Sequence, residues 1–329
     1  MGGRGLIDIT RLHDKQVKLF QTYFLNKQVT LFLHAAVVKA DDTCTPLDLV
    51  RTNANELLTD EEYNNQVKRQ WCQKALHGCH PYDLSQPYVD IEASNKWLTK
   101  ADLFAETEGF LTAIQDQVIL IRNYKKYILK QPDIDELCSR CGKESETIQH
   151  IIAACEQLAA TEYVKRHDGL AKVIHQKLAE AAELTEGKCP YYNYTPANVL
   201  ENENFKPYWN SSILMDKTIP FNRTDITFMN EKTKNTFLID IAVPNTHNLA
   251  QTITDKKNKY QELANGICAM WKQKAAQVIP VVISSTGVIP KSLSQSLTRL
   301  NLHPNTNIQL QESVILGTCS IVRIFLNYK

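Results

Sequence analysis

Residues 223–244, RTDITFMNEKTKNTFLIDIAVP, set two apolar arms around a polar middle. The arms DITFM and TFLIDIAV are rich in β-branched and aromatic residues, which suit a pleated, half-buried strand. NEKTKN, residues 230–235, is turn-like. A turn centred between Lys232 and Thr233 gives a hairpin register that puts Asp225 directly opposite Asp240. Side chains so placed are about 5 Å apart, and like charges there destabilise a sheet. One carboxylate can take up a proton. Alternatively a divalent cation can sit between them, which is the reading that carries chemistry. The plain alternative is a surface hairpin with solvated acids and a register shifted by one. In the metal-free chain the paired-acid reading expects Asp→Asn at either position to relieve repulsion.

The next stretch, NLAQTITDKKNKYQELANGICAMW, reads as one helix from Leu249. At 100° per residue, Leu249, Ile253, Tyr260, Leu263, Ile267 and Trp271 fall within about 40° of one line. Lys256 falls inside that apolar stripe, while Lys257 and Lys259 lie about 80° to either side. A lysine on a core face snorkels out or pairs with acids, and two acids stand on the hairpin just before it. Two acids and a lysine are the nuclease solution. The acids hold a metal, and the lysine steadies charge on the scissile phosphate or positions the water.

Upstream, CSRCGKESETIQHIIAAC places Cys138, Cys141, His150 and Cys155 as Cys-x2-Cys-x8-His-x4-Cys. Thiolate and imidazole ligands at these intervals fit tetrahedral Zn2+, and four protein ligands leave no open position, so the expected role is structural. The alternative is chance clustering of buried thiols. Cys72, His77, Cys79 and His80 are poorly spaced for one metal and read as a helix end and turn. His13, His34, His175, His247 and His303 are isolated and read as ordinary surface or core histidines.

The 329 residues allow two or three domains. A hydrophobic share of 43% and a charged share of 22% are ordinary for a globular protein. No run approaches the length of apolar residues that a membrane span needs, and no membrane partner is expected. The N-terminus lacks an apolar signal core, and its GGRGL reads like a turn cut from the middle of something. Nine cysteines without a signal peptide suit a reduced, intracellular chain better than a disulfide framework. The net charge of +1 hides an asymmetry. Residues 205–329 carry 14 Lys and Arg against 7 Asp and Glu, whereas the rest carry 23 against 29. A basic C-terminal third suits a nucleic-acid surface.

The pattern predicts an α+β chain in three parts. Residues 1–135 form a helical region. In it HGCHPYDLSQP is a loop, and ADLFAETEGFLTAIQDQVILIRNYKKYIL is a long helical pattern interrupted at Gly109. Residues 136–186 hold the Cys-Cys-His-Cys knuckle and a following helix. Residues 187–329 form a small α/β domain, opening with the linker GKCPYYNYTPANVLENENFKPYWN and continuing strand, strand, long helix, strand, helix, helix.

The knuckle, the KRH that follows it (Lys165 to His167), NRTD, LIDIAVP and DKKNKY together resemble the C-terminal region of non-long-terminal-repeat retrotransposon polyproteins. That family sets a zinc knuckle before a restriction-like endonuclease of the PD-(D/E)xK type. The likeness extends to GGRGL and ETEGFLTAIQDQVILIRNYKKYI, and so covers most of the chain. It implies a restriction-endonuclease-like fold at the C-terminus and a metal-dependent endonuclease that nicks target DNA to prime reverse transcription. Asp225 and Asp240 would hold catalytic Mg2+, with Lys256, Lys259 and Tyr260 also catalytic and the knuckle binding Zn2+. It further implies a DNA target and an RNA template as partners, a reverse transcriptase domain in the full-length parent, and a nuclear location. Thr224 stands where the family has proline before the first acid. Ala242 stands where the simplest restriction pattern has its lysine, so that lysine must come from the helix. No polymerase motif with paired aspartates after an aromatic residue occurs, and the chain reads as a polyprotein remainder. The alternative is a non-catalytic nucleic-acid-binding remnant or domesticated module.

Overall fold

The computed structural model describes residues 8–41, 58–185 and 189–327. The opening GGRGL and Cys44 lie outside them. The chain divides into two compact units, Met1–Trp71 and Cys72–Lys329. In the first, α1 (Ile9–Lys27) starts at Asp8, whose carboxylate accepts the Arg11 N–H as an N-cap. Next come α2 (Phe32–Lys39) and α3 (Asp60–Cys72). Arg11 donates to Asp60 at 2.7 Å and lies 4.0 Å from the Tyr63 ring centroid, tying α3 to α1.

The second unit begins with short helices α4 (Cys79–Leu84), α5 (Ile91–Asn95), α6 (Trp97–Lys100), α7 (Ala105–Gln115) and α8 (Arg122–Tyr127). The stretch expected to be a loop therefore contains α4. Gly109 does not interrupt its helix. The break comes after Gln115, where Gln117 turns into the left-handed region at φ 58°. Past the knuckle run α9 (Ile148–Ala153), α10 (Glu156–Leu158), a π-helical stretch Ala159–Tyr163 and the long α11 (Val164–Ala181).

One four-stranded sheet follows, in the order β1 (Phe205–Trp209), β2 (Ile226–Asn230), β3 (Asn235–Ala242), β4 (Ala275–Val282). β1, β2 and β3 are antiparallel neighbours, and β4 runs parallel to β3. β1 falls inside the expected linker. Its Pro207 sits on an edge strand, where a missing N–H is tolerated, and Pro280 in β4 occupies the other edge. The hairpin register is the expected one: Ile226 pairs Ile239, Phe228 pairs Phe237 and Asn230 pairs Asn235.

Between β3 and β4 stand α12 (Leu249–Lys259) and α13 (Gln261–Met270). They replace the single long helix expected, with Tyr260 leaving helical geometry at φ −106°, ψ 11°. α14 (Lys291–Arg299) and α15 (Thr306–Asn327) complete the unit. Alternation along the strands sorts the core. Ile226, Phe228, Ile239 and Ile241 face Leu170, Ile174, Leu297 and Val314 from α11, α14 and α15. Leu238 faces Tyr260, Leu263 and Ile267 on the other side. At 25 cal/mol per Å2, each such fully buried aliphatic side chain contributes about 1.5–3 kcal/mol. α15 is long and apolar enough to cross a membrane by length and composition, yet half of that window is buried. Its buried Gln311 donates to Ser94 O and Gly287 O, and its Thr318 donates to Ser285 O.

Candidate active site and metal centre

The acids stand where the hairpin opens. Asp225 is one residue outside β2, and its side chain extends the ladder: Oδ2 accepts the Ile241 N–H at 2.6 Å. Its own carbonyl accepts the Asn210 N–H at 2.7 Å. β2 pairs β3 only as far as Ile239, so Asp240 lies just past the point where β2 departs, while β4 still flanks it through Pro280. Continuing the register by one residue sets Asp225 opposite Asp240, on the face that Leu238 shares with Tyr260. Thr224, just before the first acid, is buried and shares a hydroxyl contact with Thr227.

Two cations answer the two acids. Lys256 Nζ lies 2.5 Å from Asp240 Oδ2, reaching in from α12 with its side chain 23% exposed. His167, on α11, brings Nε2 to 3.3 Å from Asp225 Oδ2 while its Nδ1 lies 3.1 Å from Asp168 Oδ1. Burial works against a charged imidazole here, but Asp225 and Asp168 outweigh it and hold the His167 pKa up at about 9. Burial likewise opposes ionisation of Asp225. The His167 hydrogen bond and charge, then the Ile241 N–H, overcome it and leave Asp225 below the usual carboxylate range. Asp240 goes the other way. Burial, reinforced by the Asp225 charge, raises it against the pull of Lys256. The two carboxyls thus titrate apart, as interacting pairs do.

Tyr260 is buried, and its hydroxyl donates to Arg223 O at 2.9 Å, across to the segment leading into Asp225. Burial and then the Asp240 charge keep that phenol protonated well above its ordinary range. Among the described residues Lys259 makes no direct ion pair, and its ammonium lies 4.9 Å from the Phe221 ring centroid and 4.7 Å from that of Tyr260. Lys257 is exposed. The five residues expected to form the site, Asp225, Asp240, Lys256, Lys259 and Tyr260, converge. His167 was not singled out, because its only local mark is the KRH triplet and its partner lies 58 residues away. The neighbouring Arg166 is buried, donating to Thr318 Oγ1 at 2.9 Å and to Val243 O at 3.4 Å. It thereby ties α11 to α15 and to the end of β3.

The knuckle residues also converge. The ligand atoms of Cys138, Cys141, His150 and Cys155 all lie within 4.8 Å of one another. Cys138 and Cys155 sulfurs are 3.9 Å apart, and Cys141 Sγ is 3.3 Å from His150 Nε2. These separations suit the edges of a tetrahedron with about 2.3 Å metal–sulfur and 2.0 Å metal–nitrogen bonds. The cluster can hold a metal such as zinc. Its scaffold is local. Gly142 turns at φ 65° and donates to Cys138 O, while buried Glu146 accepts the N–H groups of Ser139 and Arg122 at 2.8 Å each. Thr147 caps α9 by accepting the His150 N–H, and the Tyr163 hydroxyl holds Cys155 N and Ile151 O. Cys138 and Cys155 are core residues packed with Ile315, Cys319 and Phe325 of α15. Asn245, just after β3, donates to Gln149 O of α9 at 3.2 Å, so the knuckle and the acid-bearing strand are joined directly. By contrast Cys72, His77, Cys79 and His80 do not form a cluster: His77 bonds Asp116 O and Cys79 bonds Ala75 O.

No protein-family model matches the chain, and a search of curated proteins finds no match either.

Proposed function

We propose that this protein is a metal-dependent DNA endonuclease with a restriction-like C-terminal domain, corresponding to the nicking portion of a retrotransposon protein. The observation that carries the reading is that the β2–β3 register, continued one residue past Ile226 and Ile239, sets Asp225 opposite Asp240, with Lys256 reaching Asp240 at 2.5 Å. Two nearby carboxylates cost free energy unless cations compensate them, and here burial and their cation partners make them titrate apart, as functional groups do. Their oxygens are hard ligands of the kind Mg2+ takes, and Mg2+ completes its shell with water and substrate phosphate. When bound, the ion supplies positive charge to the phosphate and acidifies a water.

The chain's own residues do the rest. Asp225 and Asp240 would hold the ion. Lys256, on a fixed helix beside them, offers an ammonium to the charge that builds on the phosphate oxygens. Lys259 adds a second cation on the same edge. Tyr260 stays protonated, braces the segment leading into Asp225 and ends α12 just past Lys256 and Lys259. His167 keeps Asp225 ionised and in place. The knuckle, through Asn245 and Gln149, orients the nuclease and helps grip nucleic acid. Target DNA, an RNA template, a reverse transcriptase domain in the parent protein and a nuclear location belong to this reading.

Purified protein incubated with supercoiled plasmid and Mg2+ should yield nicked circles, suppressed by chelator and absent in Asp240→Asn. Salt-sensitive DNA binding without nicking by the metal-loaded wild type favours the other reading, a non-catalytic nucleic-acid-binding module.

A further inference from the structure

The loop between β1 and β2 carries an aromatic that the nuclease chemistry does not use. Phe221 is 47% exposed. Its ring meets Tyr260 edge-on at 6.5 Å between centroids, and the Lys259 ammonium sits over it. The loop base is fixed rather than loose. Ser212 bridges Arg223, Ile213 N donates to Asn222 O at 2.7 Å, and Arg223 Nε donates to the Asn210 carbonyl and side-chain oxygens. Arg223 is exposed and, among the described residues, has no carboxylate partner. A half-exposed aromatic ring is thus presented from a braced position, with the Lys259 ammonium over it and the exposed Arg223 two residues further along the chain. Tyr260 links it to the acid pair.

Aromatic faces flanked by cations that lack acid partners are how proteins hold unstacked nucleobases: the ring takes the base, the cations take the adjoining phosphates. We infer that Phe221 is a stacking shelf for a nucleobase of the DNA strand at the cleavage site, with Arg223 and Lys259 holding the phosphates on either side. The inference rests on the endonuclease reading and deepens it. The substrate engaged is a strand with a base unstacked next to the scissile phosphate, so single-stranded or locally melted DNA is preferred over continuous duplex. A purely structural Phe221, serving only to prop up Lys259 and Tyr260, needs bulk and apolar character but no π-face.

The test compares the full chain with Phe221→Trp and Phe221→Leu. Binding is measured in Ca2+, to an oligonucleotide and to an abasic strand of equal length and charge. Plasmid nicking in Mg2+ is followed separately. The wild type should bind the base-bearing strand about tenfold more tightly than the abasic one, the size of one base–aromatic stack. Phe221→Trp should retain that preference and Phe221→Leu should lose it, with the salt dependence alike in all three because the phosphate contacts remain. A preference kept undiminished in Phe221→Leu overturns the shelf. So does a wild type that nicks plasmid but binds both strands equally, and then the endonuclease reading stands. A wild type that neither nicks plasmid nor binds DNA overturns the endonuclease and the shelf together.

Discussion

Lys256 and Asp240 form an ion pair between α12 and β3, with Nζ 2.5 Å from Oδ2. The lysine stem crosses an otherwise apolar face, so the head is held by the acid rather than by solvent alone. Its removal should abolish nicking while the acids still bind metal. Lys256→Ala and the exposed Lys257→Ala are the matched pair for plasmid assays with metal titration. Nicking lost in Lys257→Ala and kept in Lys256→Ala assigns the phosphate role to the wrong lysine.

Asp225→Asn should also abolish nicking, but its effect on stability differs from what two bare opposed acids imply. Repulsion across the hairpin is already offset, because His167 pairs Asp225 and Lys256 pairs Asp240. Asparagine can still accept the Ile241 N–H, yet it loses the charge-assisted bond to His167. The metal-free variant should be destabilised by about 1–2 kcal/mol. Urea denaturation in chelator measures this, and a more stable variant contradicts the pairing.

The hairpin register was legible because its alternation and its four-residue turn, Glu231 to Lys234, admit one pairing that keeps Ile226 and Ile239 on the same buried face. Lys256 was legible as an outlier in an apolar period. The knuckle was legible because its ligands are local. The break at Tyr260 was not, since no Gly or Pro marks it and the apolar period runs on into Leu263 and Ile267. The side chain of Tyr260 is instead fixed by Arg223 O, 37 residues away. β1 was hidden by Pro207, which reads as linker unless the strand is known to be an edge. His167 and Arg166 gain their meaning only when α11 is laid against the sheet and α15.

The knuckle should carry about one zinc per chain, as its four ligands require. Cys141→Ser should lower that content. Removing the metal should also lower the melting temperature of the whole second unit, because Cys138 and Cys155 lie in a core shared with α15. Elemental analysis and thermal melts with and without chelator read both effects. Zinc undiminished in Cys141→Ser moves the site elsewhere.

His175 should make the fold acid-sensitive. The ring is fully buried on α11, with Nδ1 2.7 Å from the Tyr194 hydroxyl and its edge against Trp209. Burial lowers the pKa from 6.5 to about 4. Between those values the unfolded chain binds a proton that the folded chain refuses. The contribution of His175 is therefore complete above about pH 6.5 and declines as the pH falls towards 4. The shift corresponds to about 3 kcal/mol over that window. His80, also brought down to about 4 by burial, adds to the same slope. Stability of the wild type should then drop more steeply between pH 6.5 and 4 than that of His175→Gln, which cannot titrate there. Urea midpoints across this range decide the matter. Equal slopes in the two proteins mean that His175 is protonated within the fold and that its site is less apolar than its burial implies.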